Sequence, residues 1–118
     1  MAWTEEQRER QREYNRSYYA ANKGKAVARV RDRKRKLTEK VNELKKAPCT
    51  DCHKKFPTVC MDFDHIGDDK ILNVSAAIQQ GWSFKRILLE IAKCELVCAN
   101  CHRIRTGEQF ATWRYAPV

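Results

Sequence analysis

Two C-x-x-C pairs, Cys49 with Cys52 in "PCTDCHKKF" and Cys98 with Cys101 in "CELVCANCHRIRT", constrain this chain more than any other feature. Each pair forms a tight knuckle that offers two sulfurs to one ion, and two knuckles complete a tetrahedral four-thiolate zinc site. A fold that uses both pairs must bring distant parts of the chain together. Six cysteines could instead form three disulfides, but C-x-x-C pairs with no apolar leader favour metal. Cys60 and Cys94 have no partner at that spacing and read as buried free thiols.

At 118 residues there is room for one compact domain and an extension. A core of this size supplies only about 3–5 kcal/mol. A structural zinc contributes roughly 10–16 kcal/mol in small peptides, so the ion decides whether the cysteine-bearing part folds. A saturated four-thiolate site has no open position and catalyses nothing.

Charge divides the chain near Pro48. Residues 1–47 carry 15 Lys/Arg against 7 Asp/Glu, a net +8, whereas residues 48–118 carry 9 against 8. A basic segment beside a near-neutral domain points to a polyanionic partner, above all nucleic acid, with a solvated helix as the plainer reading. The basic residues at Arg29, Arg31, Arg33, Lys34, Arg35 and Lys36 are the densest run. No apolar run is long enough to cross a bilayer, and "MAWTEEQRER" is unlike a signal peptide. The expected location is the reducing cytoplasm.

Thr4 to Gln7 has capping-box spacing, and residues 4–46 are rich in strong helix formers. Asn22-Lys23-Gly24 weakens the middle and marks where the stretch would divide into two helices. Val27, Val30, Leu37, Val41 and Leu44 form a stripe interrupted by Lys34. It offers a short coiled-coil seam for a homodimer, but at little over two heptads it is expected to dock on its own domain. Tyr14 and Tyr18 share a face suited equally to nucleic acid or to packing. Further on, "VCMDFDHI" (59–66) predicts a strand and "IGDDK" a turn. Ser83 opens a helix whose Phe84, Ile87, Leu88 and Ile91 make a core-facing stripe. "CELVCA" predicts a second strand, and "CHRIRTGEQFATWRY" a closing helix weakened at Gly107.

Asp64, His65 and His102 remain outside the thiolate set. Together with Cys49-x-x-Cys52, the stretches "FDHI" at 63–66 and "LVCANCHRIRT" at 96–106 resemble the HNH endonucleases of the ββα-metal superfamily, especially small phage-type members stapled by a four-cysteine zinc. The resemblance covers most of 48–106. "YNRSYYAANKGKAVARVRDRKRK" is similar to the basic leader of many phage HNH proteins. The implied architecture is α+β: a basic helical arm over 1–47 and a zinc-stapled ββα nuclease domain over 48–118.

The resemblance implies a metal-dependent DNA endonuclease leaving 5′-phosphate and 3′-hydroxyl ends. His65 would be the general base, a task that suits an imidazole at neutral pH. Asp64 and His102 would hold one catalytic Mg²⁺ or Mn²⁺, and Arg103 and Arg105 would contact phosphate, with a solvated helix face as the alternative. Two departures stand out. Asp64 and His65 are neighbours on a strand and share a site only if the strand bends there. The family's middle asparagine is Lys93 here, leaving Asn73 or Asn100 to substitute, or the role missing. The implied partner is double-stranded DNA, and the location the host cytoplasm if the chain is phage-encoded. The alternatives are a non-catalytic zinc-ribbon DNA-binding protein and a phage packaging or assembly factor.

Overall fold

The computed structural model describes residues 2–110 and is α+β, with a single two-stranded antiparallel sheet among those residues. In chain order come α1 (Glu5–Leu44), β1 (Met61–His65), α2 (Val74–Gln79), α3 (Phe84–Ile91), β2 (Cys94–Cys98) and α4 (Ala99–Phe110), with a 3₁₀ turn at Thr58–Cys60 before β1. The chain separates into two compact units, residues 1–35 and 36–118. The last part of α1 therefore belongs to the cysteine-bearing unit. No helix of the described residues is long and apolar enough to cross a membrane.

In the first unit α1 opens with a reciprocal cap. The Thr4 backbone N–H donates to Gln7 Oε1 at 2.8 Å, and the Gln7 N–H donates to Thr4 Oγ1 at 3.2 Å. The helix runs unbroken through Asn22-Lys23-Gly24. Asn22 Nδ2 donates to the Tyr18 carbonyl at 2.8 Å, so its side chain leaves the helical backbone bonds intact. One glycine costs about 1 kcal/mol relative to alanine, too little to end a helix with strong formers on both sides. Tyr14 and Tyr18 stack with ring centres 6.2 Å apart, both exposed.

In the second unit the apolar stripe of α1 is buried only at Leu37 and Val41, which pack with Val74, Ala77, Ile78, Trp82 and Ile87. Val27, Val30 and Leu44 are exposed. Ser83 caps α3 by accepting the Arg86 N–H at 3.2 Å. The helix buries Ile87, half-buries Phe84 and Ile91, and leaves Leu88 exposed. The buried side includes a charged residue, Glu90, in place of Leu88. The six-residue α2 had no clear sequence signal: its N-cap, Asn73, makes no side-chain capping bond.

β1 and β2 pair from Met61 opposite Cys98 to His65 opposite Cys94, and α4 packs on both strands. Period-two alternation puts Asp62 and Asp64 on the sheet face that meets α4, and Phe63 and His65 on the other. A second small core of Cys49, Met61, Val97 and Cys98 lies at the Met61–Cys98 end of the ladder. Of the closing helix expected over 101–115, residues 111–115 lie outside the described residues.

Candidate functional site

Four sulfurs converge as the spacing requires. The Sγ atoms of Cys49, Cys52, Cys98 and Cys101 all lie within 4.8 Å of one another. A zinc ion at about 2.3 Å from four sulfurs sets them about 3.8 Å apart, so this group could hold a metal such as zinc. The first knuckle turns through a Cys49 carbonyl that accepts from the His53 N–H (2.9 Å) and a Cys49 N–H that donates to the Lys54 carbonyl (3.0 Å). His53 takes φ of 61°, a left-handed conformation that a tight turn demands and that histidine tolerates better than most residues. Thr50 ties this knuckle to β2, its N–H and hydroxyl each donating to the Leu96 carbonyl at 2.8 Å.

The thiols sit in unlike fields. Burial pushes the Cys49 thiol up, but N–H groups of Cys52, Cys98 and Asp51, with the Cys52 thiol, bring it down to about 6. Cys101 is pushed up to about 12, first by its contact with Cys98 and then by burial. Four thiols this close cannot all ionise without a cation between them. Cys60 and Cys94 lie outside the group and are half-buried, not fully buried. The Cys94 thiol is raised to about 11 by burial and by the nearby Glu90 and Asp64 carboxylates.

A polar cluster occupies the α4 face of the sheet. His102 lies between two carboxylates: Nδ1 is 3.1 Å from Asp62 Oδ2, and Nε2 is 3.5 Å from Asp64 Oδ1. Asp64 Oδ2 accepts from Arg105 Nη1 at 3.1 Å. Arg105 also forms a bidentate pair with Asp51 at 2.6 Å through Nε and Nη2, and approaches Glu95 at 3.5 Å. Asp51 leads the acidic groups that raise the Arg105 pKa against burial, and Arg105 in turn holds the Asp51 carboxyl low. Since Asp51 lies inside the first knuckle, Arg105 connects that knuckle to Asp64. Asp51, Asp62, Asp64 and Glu95 share one guanidinium and one imidazole, an excess of negative charge that favours a cation.

The structure thus brings Asp64 and His102 together and does not bring His65 to them. β1 stays regular to its last rung, so His65 turns to the opposite face, where Nε2 lies 2.9 Å from Glu90 Oε1. Lys93 Nζ donates to Glu90 Oε2 (2.9 Å) and to the Asp69 carbonyl (2.7 Å). Asn73 is the N-cap of α2 and Asn100 is exposed on α4. Arg103 is exposed, whereas Arg105 is taken up by carboxylates. Sequence reasoning missed Asp51, Asp62, Glu90 and Glu95. Period-two spacing from Asp64 was the available signal for Asp62.

Along α1 the charge is uneven. Residues 5–16 hold four Glu and four Arg, and Glu5, Glu6 and Glu9 pair with Arg8, Arg10, Arg12 and Arg16. Residues 23–36 hold eight Lys/Arg and one acid, Asp32. Arg29, Arg31, Arg33, Lys34, Arg35 and Lys36 all fall in this stretch, and its last four residues cover every side of one helical turn. No protein-family model, curated protein or solved structure matches the chain.

Proposed function

We propose that this chain is an HNH-type, metal-dependent DNA endonuclease of the ββα-metal class, with a structural zinc on Cys49, Cys52, Cys98 and Cys101. The observation that carries the reading is the bracketing of His102 by Asp62 and Asp64 on the face where α4 crosses the strands. Asp62 accepts a hydrogen bond from His102 Nδ1–H, which leaves the Nε2 lone pair directed at the Asp64 side, the carboxylate–histidine arrangement of metal sites. The two donors, one nitrogen and one oxygen, fit a small divalent ion that keeps most of its water. An Mg²⁺ or Mn²⁺ held by Asp64 and His102 would supply charge neutralisation at the phosphate and at the departing oxygen.

His65 supplies the base. It is the last residue of β1, paired with Cys94. His65 takes a proton from water, the water oxygen bonds to phosphorus, and the P–O3′ bond breaks. Solvent protonates the leaving 3′ oxygen, giving 5′-phosphate and 3′-hydroxyl ends. Lys93 takes the loop-steadying part through the Asp69 carbonyl. Residues 23–36 supply the phosphate-tracking charge, with Arg103 as a further contact, and the substrate is double-stranded DNA.

One observation favours a zinc-ribbon DNA-binding protein without catalysis: His65 faces Glu90 and not Asp64. Supercoiled plasmid incubated with protein and Mg²⁺ or Mn²⁺ separates the two. Nicking that EDTA stops supports the nuclease. His65→Ala should then lose about 10²–10⁴ in rate, unrescued by Mn²⁺, while His102→Ala recovers in part with excess Mn²⁺. A parent that binds DNA and never cuts it leaves the zinc-ribbon reading.

A further inference from the structure

Glu90 is 1 % exposed and lies on the core-facing side of α3 between Ile87 and Ile91, where an apolar residue would pack. A carboxylate there costs free energy unless it is fully paired. It is paired: Oε1 accepts from the Ile71 N–H at 2.9 Å, lies 3.5 Å from the Leu72 nitrogen and 2.9 Å from His65 Nε2, and Oε2 accepts from Lys93. These contacts gather the end of β1, the segment before α2, and the turn after α3 around one group. The cysteine cluster does not use Glu90, and neither does the Asp64–His102 pair.

An ionised carboxylate only accepts hydrogen bonds, so the imidazole nitrogen facing it must carry the proton. In neutral His65 that is Nε2, and the lone pair is on Nδ1. Nδ1 has no hydrogen-bond partner among the described residues, and no side-chain nitrogen there is both buried and unpaired. Nδ1 therefore keeps some exposed surface, in a side chain that is only 8 % exposed.

We infer that Glu90 is a positioning residue for His65: it locks the Nε2–H tautomer and so leaves Nδ1 as the ring atom with a lone pair to accept the water proton. The inference rests on the nuclease reading for the use of that atom, but the lock stands on the Glu90 contacts alone. Lys93 serves the lock by holding the second carboxylate oxygen.

The test uses the full zinc-loaded chain, ¹⁵N-labelled, as parent, Glu90→Gln and Glu90→Leu. Long-range ¹H–¹⁵N spectra read the His65 tautomer, and plasmid nicking reads kcat and KM. The parent ring should be Nε2–H alone. Glu90→Leu should mix the tautomers and lower kcat about 10–100-fold with KM little changed, as outer-shell orienting partners do. Glu90→Gln, whose amide oxygen can still accept, should fall between the two. An Nδ1–H or mixed ring in the parent overturns the inference whether or not the variants fold. So does a cutting parent whose Glu90→Leu variant matches it in kcat with an unchanged tautomer, and the nuclease reading then survives. An inert parent with a locked ring removes the nuclease reading and leaves the lock in place.

Discussion

Replacing Cys98 with serine should unfold residues 36–110 while sparing most of α1 before them. Cys98 is the last residue of β2, pairs with Met61, and is 4 % exposed. Its N–H donates to Cys49 Sγ at 3.3 Å, and its own sulfur accepts from the Cys101 N–H at 3.4 Å. One substitution therefore removes a ligand, an N–H···S acceptor and a packed core side chain. A structural zinc contributes roughly 10–16 kcal/mol, against about 3–5 kcal/mol from a core this small, so losing even half the metal's contribution exceeds what packing can offset. Zinc content, near-ultraviolet circular dichroism and thermal melting with and without chelator measure the effect. Cys60→Ser and Cys94→Ser are the controls, since neither sulfur is in the group and Cys94 stays protonated with its thiol at about 11. A Cys98→Ser protein that keeps one zinc per chain and melts like its parent would refute the ligand assignment.

Replacing the eight basic residues of 23–36 with glutamine should flatten the salt dependence of DNA binding, by roughly 0.9 in log–log slope for each phosphate no longer neutralised; an unchanged slope assigns this helix to protein contacts. Glu90 should make the fold acid-labile. Burial pushes its carboxyl up, but Lys93, the Ile71 and Leu72 N–H groups and His65 outweigh it and hold the pKa at about 2, below the ordinary 4.5. A depressed pKa stabilises fully above the unfolded value and loses that contribution as pH falls toward the folded one. The melting difference between parent and Glu90→Gln should thus shrink as pH drops from about 4.5 to about 2, and a constant difference would contradict this. His53→Gly relieves a left-handed φ at the cost of chain entropy and should change stability by no more than about 1 kcal/mol, whereas His53→Val should destabilise clearly more; a large loss in the glycine variant would show that the imidazole itself is needed.

The cysteine knuckles, the two strands and the Ser83 helix were legible because each rests on a local rule: ligand spacing, alternation, a cap before an apolar stripe. α1 was misjudged at Gly24 because a single weak residue was weighed without the strong formers around it. Glu90 was invisible for a different reason. A polar residue on a helix normally faces water, and only its place one step from Ile91 and three from Ile87 marks it as inward. Its partners, His65, Lys93 and the backbone at 71–72, come from three segments, and no spacing rule unites them. Arg105 was missed as a bridge in the same way, since Asp51 is 54 residues away in sequence.

That bridge has a consequence for the life of the chain. Asp51 lies inside the first knuckle, and Arg105 bonds to both it and Asp64. An ion bound by the four cysteines would thereby order the polar cluster in the same event. On the proposed reading, a newly made chain that has yet to find zinc would still attract polyanions through its basic helix, but would lack the ordered cluster to act on them. For a protein whose proposed substrate is the genetic material around it, maturation by metal would be a safeguard: binding would come first, and competence would wait for the ion.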